Sequence, residues 1–202
     1  MLYPIGIQNF EKIRQGGFVY VDKTDLIYKI AQTGQYYFLS RPRRFGKSLL
    51  VSTMEAYFQG KKELFEGLAI ASLEKEWTEY PVLHFDLSGA SYTDMEALND
   101  KIGRQLETLE SRFGVVKKYK TLPVRFDNLI ECAFNKIGRQ VVILIDEYDK
   151  PVIDNLDRPE LQDKMRGTLR GFYGVMKGKD AFIRFAFLTG VTKLGKMSVF
   201  SD

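Results

Sequence analysis

The 202-residue sequence reads as an α/β protein with a mainly parallel sheet sandwiched between helices. Short apolar runs alternate with segments of helical period, the pattern that strand–helix–strand units write. The run Val141 to Ile145 has no polar alternation, so both of its faces need helices over them. No repeat or low-complexity stretch interrupts the order.

In chain order, Asp22 or Thr24 caps a short helix that carries Leu26, Ile27 and Ile30 and closes at Gly34. Tyr36-Tyr37-Phe38-Leu39 is a compact strand. Leu49, Leu50, Thr53, Met54, Tyr57 and Phe58 mark a helix ending near Gly60, and Val82 to Leu87, behind Pro81, form the second strand. Thr93 with Glu96 resembles a capping box for a helix burying Met95, Leu98, Ile102, Leu106, Leu109 and Phe113. Phe126, Leu129, Ile130, Ala133, Phe134 and Ile137 follow helical spacing, with Gly138 as the stop. After the Val141 strand, Asp157 and Pro159 start a helix through Leu161, Met165 and Leu169. Phe182 to Leu188 is the fourth strand, with Arg184 its only charge.

Composition sets outer bounds. At 45% hydrophobic and 28% charged residues, the chain suits one globular domain. One cysteine, Cys132, and one histidine, His84, exclude a Cys/His zinc cluster and an intrachain disulfide, so a reducing, cytoplasmic setting is expected. The N-terminus shows no basic region before an apolar stretch, and no run approaches membrane-spanning length. A net charge of +4 favours anionic ligands without separating a nucleotide from a nucleic acid.

The first strand runs into Ser40-Arg41-Pro42-Arg43-Arg44-Phe45-Gly46-Lys47-Ser48, and a helix follows at once. This is the order of a P-loop. Gly46 permits close backbone approach to phosphate oxygens, and the amides that open the next helix bind anions. Lys47 places charge on the β- and γ-phosphates, and the Ser48 hydroxyl is a Mg²⁺ ligand. Arg41 stands where G-x-x-x-x-G-K-S has its first glycine, so the start of the loop is expected to differ. The residues expected around the phosphates are Arg43, Arg44, Phe45, Gly46, Lys47, Ser48 and Leu49.

The apolar run Val141 to Ile145 leads into Asp146-Glu147. A P-loop enzyme needs a carboxylate near its metal and, in one large division, a base that orients water. Both would lie at the carboxyl end of a central strand, where open α/β sheets collect ligands. Asp146 is therefore expected at the metal and Glu147 as the base. At the tip of the last strand, Thr189, or Thr192 as second choice, would bond the γ-phosphate or the lytic water. With Lys47, Glu147 and Thr189 form the expected catalytic set.

These residues resemble the AAA-ATPase-like family of bacterial proteins, in the division of P-loop ATPases with an additional strand and a catalytic glutamate. The resemblance rests on Tyr20 to Thr24, Arg41 to Ser48, Leu64 to Leu68, Leu144 to Asp149 and Leu188 to Lys193. It implies that an arginine at position 41 is ordinary, and that the Thr189 strand lies between the P-loop strand and the Asp146 strand. It also implies that Pro4 to Thr24 packs near the base or ribose, and that the ligand is ATP with Mg²⁺. No Asn-Lys-x-Asp guanine-reading motif is present. The family often carries a C-terminal domain resembling PD-(D/E)XK nucleases, through which a nucleic-acid or protein partner would be reached. Residues 1–202 are thus expected to be one P-loop domain truncated after Phe200-Ser201-Asp202, where a further helix and strand would follow. Oligomerisation is compatible with this picture. An arginine finger would lie in the missing part, on a partner subunit, or among Arg43 and Arg44.

Other features have plainer readings. His84 is expected to be packed and hydrogen-bonded in its strand, Cys132 a small packing residue, and Val116 to Lys120 a solvated basic loop. Trp77 has no evident chemical partner. Competing functions are a nucleotide-binding regulatory module with little hydrolysis, a small-molecule kinase, and a nucleic-acid binder with an incidental Gly-Lys-Ser.

Overall fold

The computed structural model describes residues 2–193. Four parallel strands, β1 (Tyr36–Ser40), β2 (Val82–Asp86), β3 (Val141–Asp146) and β4 (Ile183–Gly190), form one sheet in the order β1-β4-β3-β2. The Thr189 strand therefore lies between β1, which leads into Gly46-Lys47-Ser48, and the Asp146 strand. Because every strand runs the same way, the ends at Ser40, Asp86, Asp146 and Gly190 gather at one edge of the sheet. The stretch Phe200 to Asp202, where further elements were expected to follow, lies outside the described residues.

Two apolar layers hold the sheet. On one face, Leu83, Phe85, Ile143 and Ile145 pack under α5 (Met95–Phe113), α6 (Leu122–Ile137) and α8 (Pro159–Gly178). On the other, Val82, Val142, Leu144 and Phe187 meet α1 (Phe10–Gln15), α2 (Thr24–Thr33), α3 (Lys47–Phe58) and α4 (Ile70–Leu73). Every residue of β3 is buried, as an unalternating run requires. Phe126 stacks on Phe172 at 4.6 Å, and Phe85 meets both edge-on, which joins α6 and α8 to β2.

Arg184 explains an irregularity in β4. Val141 pairs with Ile183 and Val142 with Phe185, so Arg184 is an extra residue in its strand. Ile183 consequently faces the same layer as Ala186 and Leu188, although the spacing would otherwise send it to the opposite face. The extruded guanidinium donates to the Ala31 carbonyl at 2.7 Å and ties β4 to α2.

Several boundaries depart from the sequence reading. Asp94, not Thr93, caps α5: its carboxylate accepts from the Ala97 amide at 2.8 Å. Both residue types cap well, so the choice rests on where Met95 and Leu98 reach the core. Arg158, not Asp157, precedes α8. Asp22 accepts from the Thr24 amide and hydroxyl while its other oxygen takes the Ala69 amide, so it ties α2 to α4. Gly34 follows α2 in extended backbone. Trp77 is packed against Tyr57 and Phe65. The helices α1, α4 and a short α7 (Lys150–Ile153) were not foreseen.

Candidate functional site

The loop from β1 to α3 is shaped by two left-handed residues, Arg44 (φ 67°) and Gly46 (φ 74°). Gly46 is the cap position of α3, and no side chain caps that helix. The first amides of a helix have no intrahelical partner, so those of α3 are open to an anion. Arg41 is outside the left-handed region, so this loop does not require glycine there. Its amide instead donates to the Gly190 carbonyl at 3.0 Å.

Lys47 is only 4% exposed. Its ammonium donates to the Pro42 carbonyl at 3.3 Å and lies 3.4 Å from Glu147 Oε1. The loop around Gly46-Lys47-Ser48 and the Asp-Glu pair are therefore adjacent in space. Glu147 itself sits at φ 55°, a conformation that costs a non-glycine residue about 1–2 kcal/mol. Next to it, the buried Thr189 hydroxyl donates to Asp146 Oδ1 and accepts from the Glu147 amide at 3.3 Å. One hydroxyl thus touches both acidic residues.

Ser48 and Asp146 share a cleft of about 370 Å³ with Ser52, Asp86 and the N-terminal residues Gly6 to Asn9. The remaining predicted loop residues take different positions. Arg43 pairs with Asp154 at 3.6 Å, Arg44 and Phe45 are exposed, and Leu49 packs partly into the core. Thr192 gives its hydroxyl to Asp149 at 2.6 Å rather than to the cleft.

Three features of the site were not read from the sequence. Asp149, 1% exposed, accepts from the Val191 and Thr192 amides at 3.0 and 2.6 Å. Tyr148 donates to the Thr192 carbonyl at 3.0 Å, and burial, opposed by the Thr192 side chain, pushes its phenol up to about 12. Gly190 has no room for a side chain: a Cβ there would lie 2.4 Å from Tyr148 Cε1 and 2.6 Å from Asp149 Oδ1. The acidic run Asp146-Glu147-Tyr148-Asp149 was the available signal, but its last member bonds residues more than forty positions away.

Because Tyr148 and Asp149 are both pinned, neither yields to a methyl group. Gly190→Ala is expected to destabilise the fold by about 1–3 kcal/mol. Urea unfolding checks this, and an unchanged midpoint would show that the turn relaxes freely.

The far wall of the cleft holds an ion pair, His84 Nδ1 to Glu55 Oε2 at 2.8 Å. Burial pulls His84 down, but the hydrogen bond and charge of Glu55, with Asp86 and Asp146, raise it overall. Burial likewise raises Glu55, yet His84, Arg112 and Lys61 lower it overall. The raised imidazole contributes stability in full below its unfolded value and loses it as pH climbs through the folded value. The depressed carboxylate contributes in full above its unfolded value and loses it as pH falls through the folded value. The pair therefore stabilises most between the two ordinary values, about pH 5 to 6. The melting-temperature gap between wild type and His84→Gln should peak there and shrink as pH climbs through the raised value of the folded histidine. A gap independent of pH would mean that packing alone holds the ring.

A helix-flanked parallel sheet whose strand tips bring Lys47 to an Asp-Glu pair is compatible with a P-loop nucleoside-triphosphatase fold. The family model described as "Predicted AAA-ATPase" matches residues 4–200, and the chain belongs to that AAA-ATPase-like family. Membership suggests ATP binding. A curated protein from Azotobacter chroococcum mcd 1, described as "Uncharacterized protein in vnfD 5'region", is 44% identical over 200 residues. That alignment covers 98% of this chain and 39% of the relative, so the chain spans about two-fifths of that protein's length. No solved structure matches the chain. Among the described residues no helix is long and apolar enough to cross a membrane.

Proposed function

We propose that the chain binds ATP with Mg²⁺ across the tips of β1, β3 and β4 and hydrolyses it. The observation that carries this reading is the approach of Lys47 to Glu147 at 3.4 Å, beside Asp146 and Thr189 and at the uncapped start of α3. The central position of β4 supports the catalytic-glutamate division of P-loop proteins.

In this reading the backbone amides from Gly46 to Leu49 receive the phosphate oxygens, and Lys47 turns from Glu147 to the β- and γ-phosphates. Arg43, Arg44 and Phe45 line the approach. The Ser48 hydroxyl and the Asp146 carboxylate are hard oxygen donors on one cleft, a set that fits Mg²⁺ with its remaining positions left to water and phosphate. Bound there, the ion neutralises phosphate charge. Glu147, once parted from Lys47, would take a proton from the water that attacks the γ-phosphorus, as the bond from that phosphorus to the β–γ bridging oxygen breaks and ADP leaves. Thr189 holds Asp146 and the Glu147 backbone in register. Gly6 to Asn9, on the same cleft, are placed to approach the ribose or base. The domain would act as switch or motor for the remainder of a longer protein, such as a nuclease-like domain, or for a nucleic-acid or protein partner.

Titration with labelled ATP and GTP, with and without Mg²⁺, tests the binding. Affinity that favours ATP and rises with Mg²⁺ supports the reading, and no affinity for either nucleotide overturns it. The pairing of Arg43 with Asp154 favours a second reading, a module that binds ATP with little turnover, since it engages a cation available for the γ-phosphate.

A further inference from the structure

The turn Gly190-Val191-Thr192 joins the two halves of the site. From the P-loop side, Arg41 donates its amide to the Gly190 carbonyl at 3.0 Å, and the Ser40 hydroxyl donates to the Val191 carbonyl at 2.9 Å. From the β3 side, Asp149 receives both following amides and the Thr192 hydroxyl, while the Tyr148 phenol holds the Thr192 carbonyl. Tyr148 is itself anchored: its amide donates to the Thr189 carbonyl at 2.9 Å, and its carbonyl accepts from Tyr173 at 3.0 Å. Thr189, the residue whose hydroxyl touches Asp146 and Glu147, immediately precedes this turn.

We propose that Asp149 is a positioning residue for the reaction, acting through the 190–192 turn to hold Thr189 against Asp146 and Glu147. The inference rests on the ATPase reading above and deepens it. A carboxylate suits the task. One oxygen accepts from two amides and a hydroxyl at once, more than a neutral amide oxygen serves well, and the other lies 3.3 Å from the Val191 amide, where an asparagine would set an N–H₂ against an N–H. Asp149 itself is 1% exposed, and a buried group left unpaired is costly, so the turn would move if these bonds were lost. Gly190 completes the device, because its missing side chain is what lets Tyr148 and Asp149 close on the turn. A clamp of this kind acts on the metal and water side of the site. The amides of α3 and Lys47, which set nucleotide affinity without metal, are held by other contacts.

The test uses the whole 202-residue chain as wild type, Asp149→Asn, Thr192→Val and Thr192→Ser. For each, the dissociation constant for ATP is measured in Mg²⁺ and in EDTA, together with single-turnover phosphate release and the melting temperature. Asp149→Asn should leave the affinity in EDTA within about twofold. Its phosphate release and Mg²⁺ enhancement of binding should fall by about 10- to 100-fold, as when partners behind metal ligands are removed. Thr192→Val should move the same two quantities in the same direction, and Thr192→Ser, which keeps the hydroxyl, should restore them. Unchanged turnover and Mg²⁺ enhancement in Asp149→Asn would overturn the proposal. So would an equal loss of affinity with and without metal, which marks a merely structural residue. If Asp149→Asn fails to fold, the Thr192→Val and Thr192→Ser pair decides, and equality of that pair refutes the clamp. A wild type that binds but never hydrolyses sinks the ATPase reading while the Mg²⁺ enhancement still scores Asp149. A wild type without nucleotide affinity sinks both.

Discussion

Glu147→Gln should bind Mg-ATP normally and release phosphate about 100- to 10,000-fold more slowly than wild type, the usual loss when a general base is removed. The substitution keeps the side chain's size and removes its charge and basicity. Glu147 is the anion beside Lys47, at 3.4 Å, so a triphosphate would have to displace it. Without that competitor, affinity should hold or tighten, because Lys47 no longer has to leave a carboxylate before it meets the phosphates. Single-turnover phosphate release and an ATP titration on the same preparation separate the two effects. Unchanged turnover would remove Glu147 from the chemistry. Turnover absent from wild type and variant alike, with binding intact, would favour the module that binds without hydrolysis.

The second large effect belongs to Lys47→Ala. Lys47 is buried, with its charge delivered to the gap between Pro42 and Glu147, where no other lysine or arginine of the P-loop makes a comparable contact. Removing it deletes a charged hydrogen bond worth about 1.5–3 kcal/mol. It also leaves Glu147 and Asp146 facing an incoming triphosphate without that compensation. ATP affinity should therefore fall by about 10- to 100-fold or more, with little change in the circular dichroism spectrum. Retained affinity would show that phosphate is held elsewhere, and the exposed Arg41 and Arg44 would be the next residues to examine.

Much of this candidate site is legible in the sequence. Gly46-Lys47-Ser48 after one apolar strand and Asp146-Glu147 after another are local patterns, and the sheet needed only to place the two strand tips on one edge. Thr189 was readable for the same reason. The less legible parts are those that depend on contacts between distant residues. Asp149 carries no local sign of its role because its partners, Val191 and Thr192, lie beyond α7, α8 and β4. Arg44 gives no sign of its left-handed backbone, since arginine has no preference for it. The helices α1, α4 and α7 span six, four and four residues, too few for a helical period to register. The spacing of Thr93 and Glu96 points to Thr93 as the cap, one residue before Asp94, because both types cap helices and adjacent positions differ only in how the helix meets the core.

Local chemistry alone was enough to write the order of strands and helices, the buried centre of the sheet, and the residue types suited to a phosphate and its metal. Apolar runs without alternation cannot be satisfied except between two layers, so those features follow from short-range pattern. What folding added was proximity: the ammonium of Lys47 beside Glu147, one threonine hydroxyl shared by two acidic residues, and a turn gripped from both sides. Such contacts depend on strand order and register, which are set by the summed packing of both faces of the sheet, and no single stretch of the chain encodes that sum.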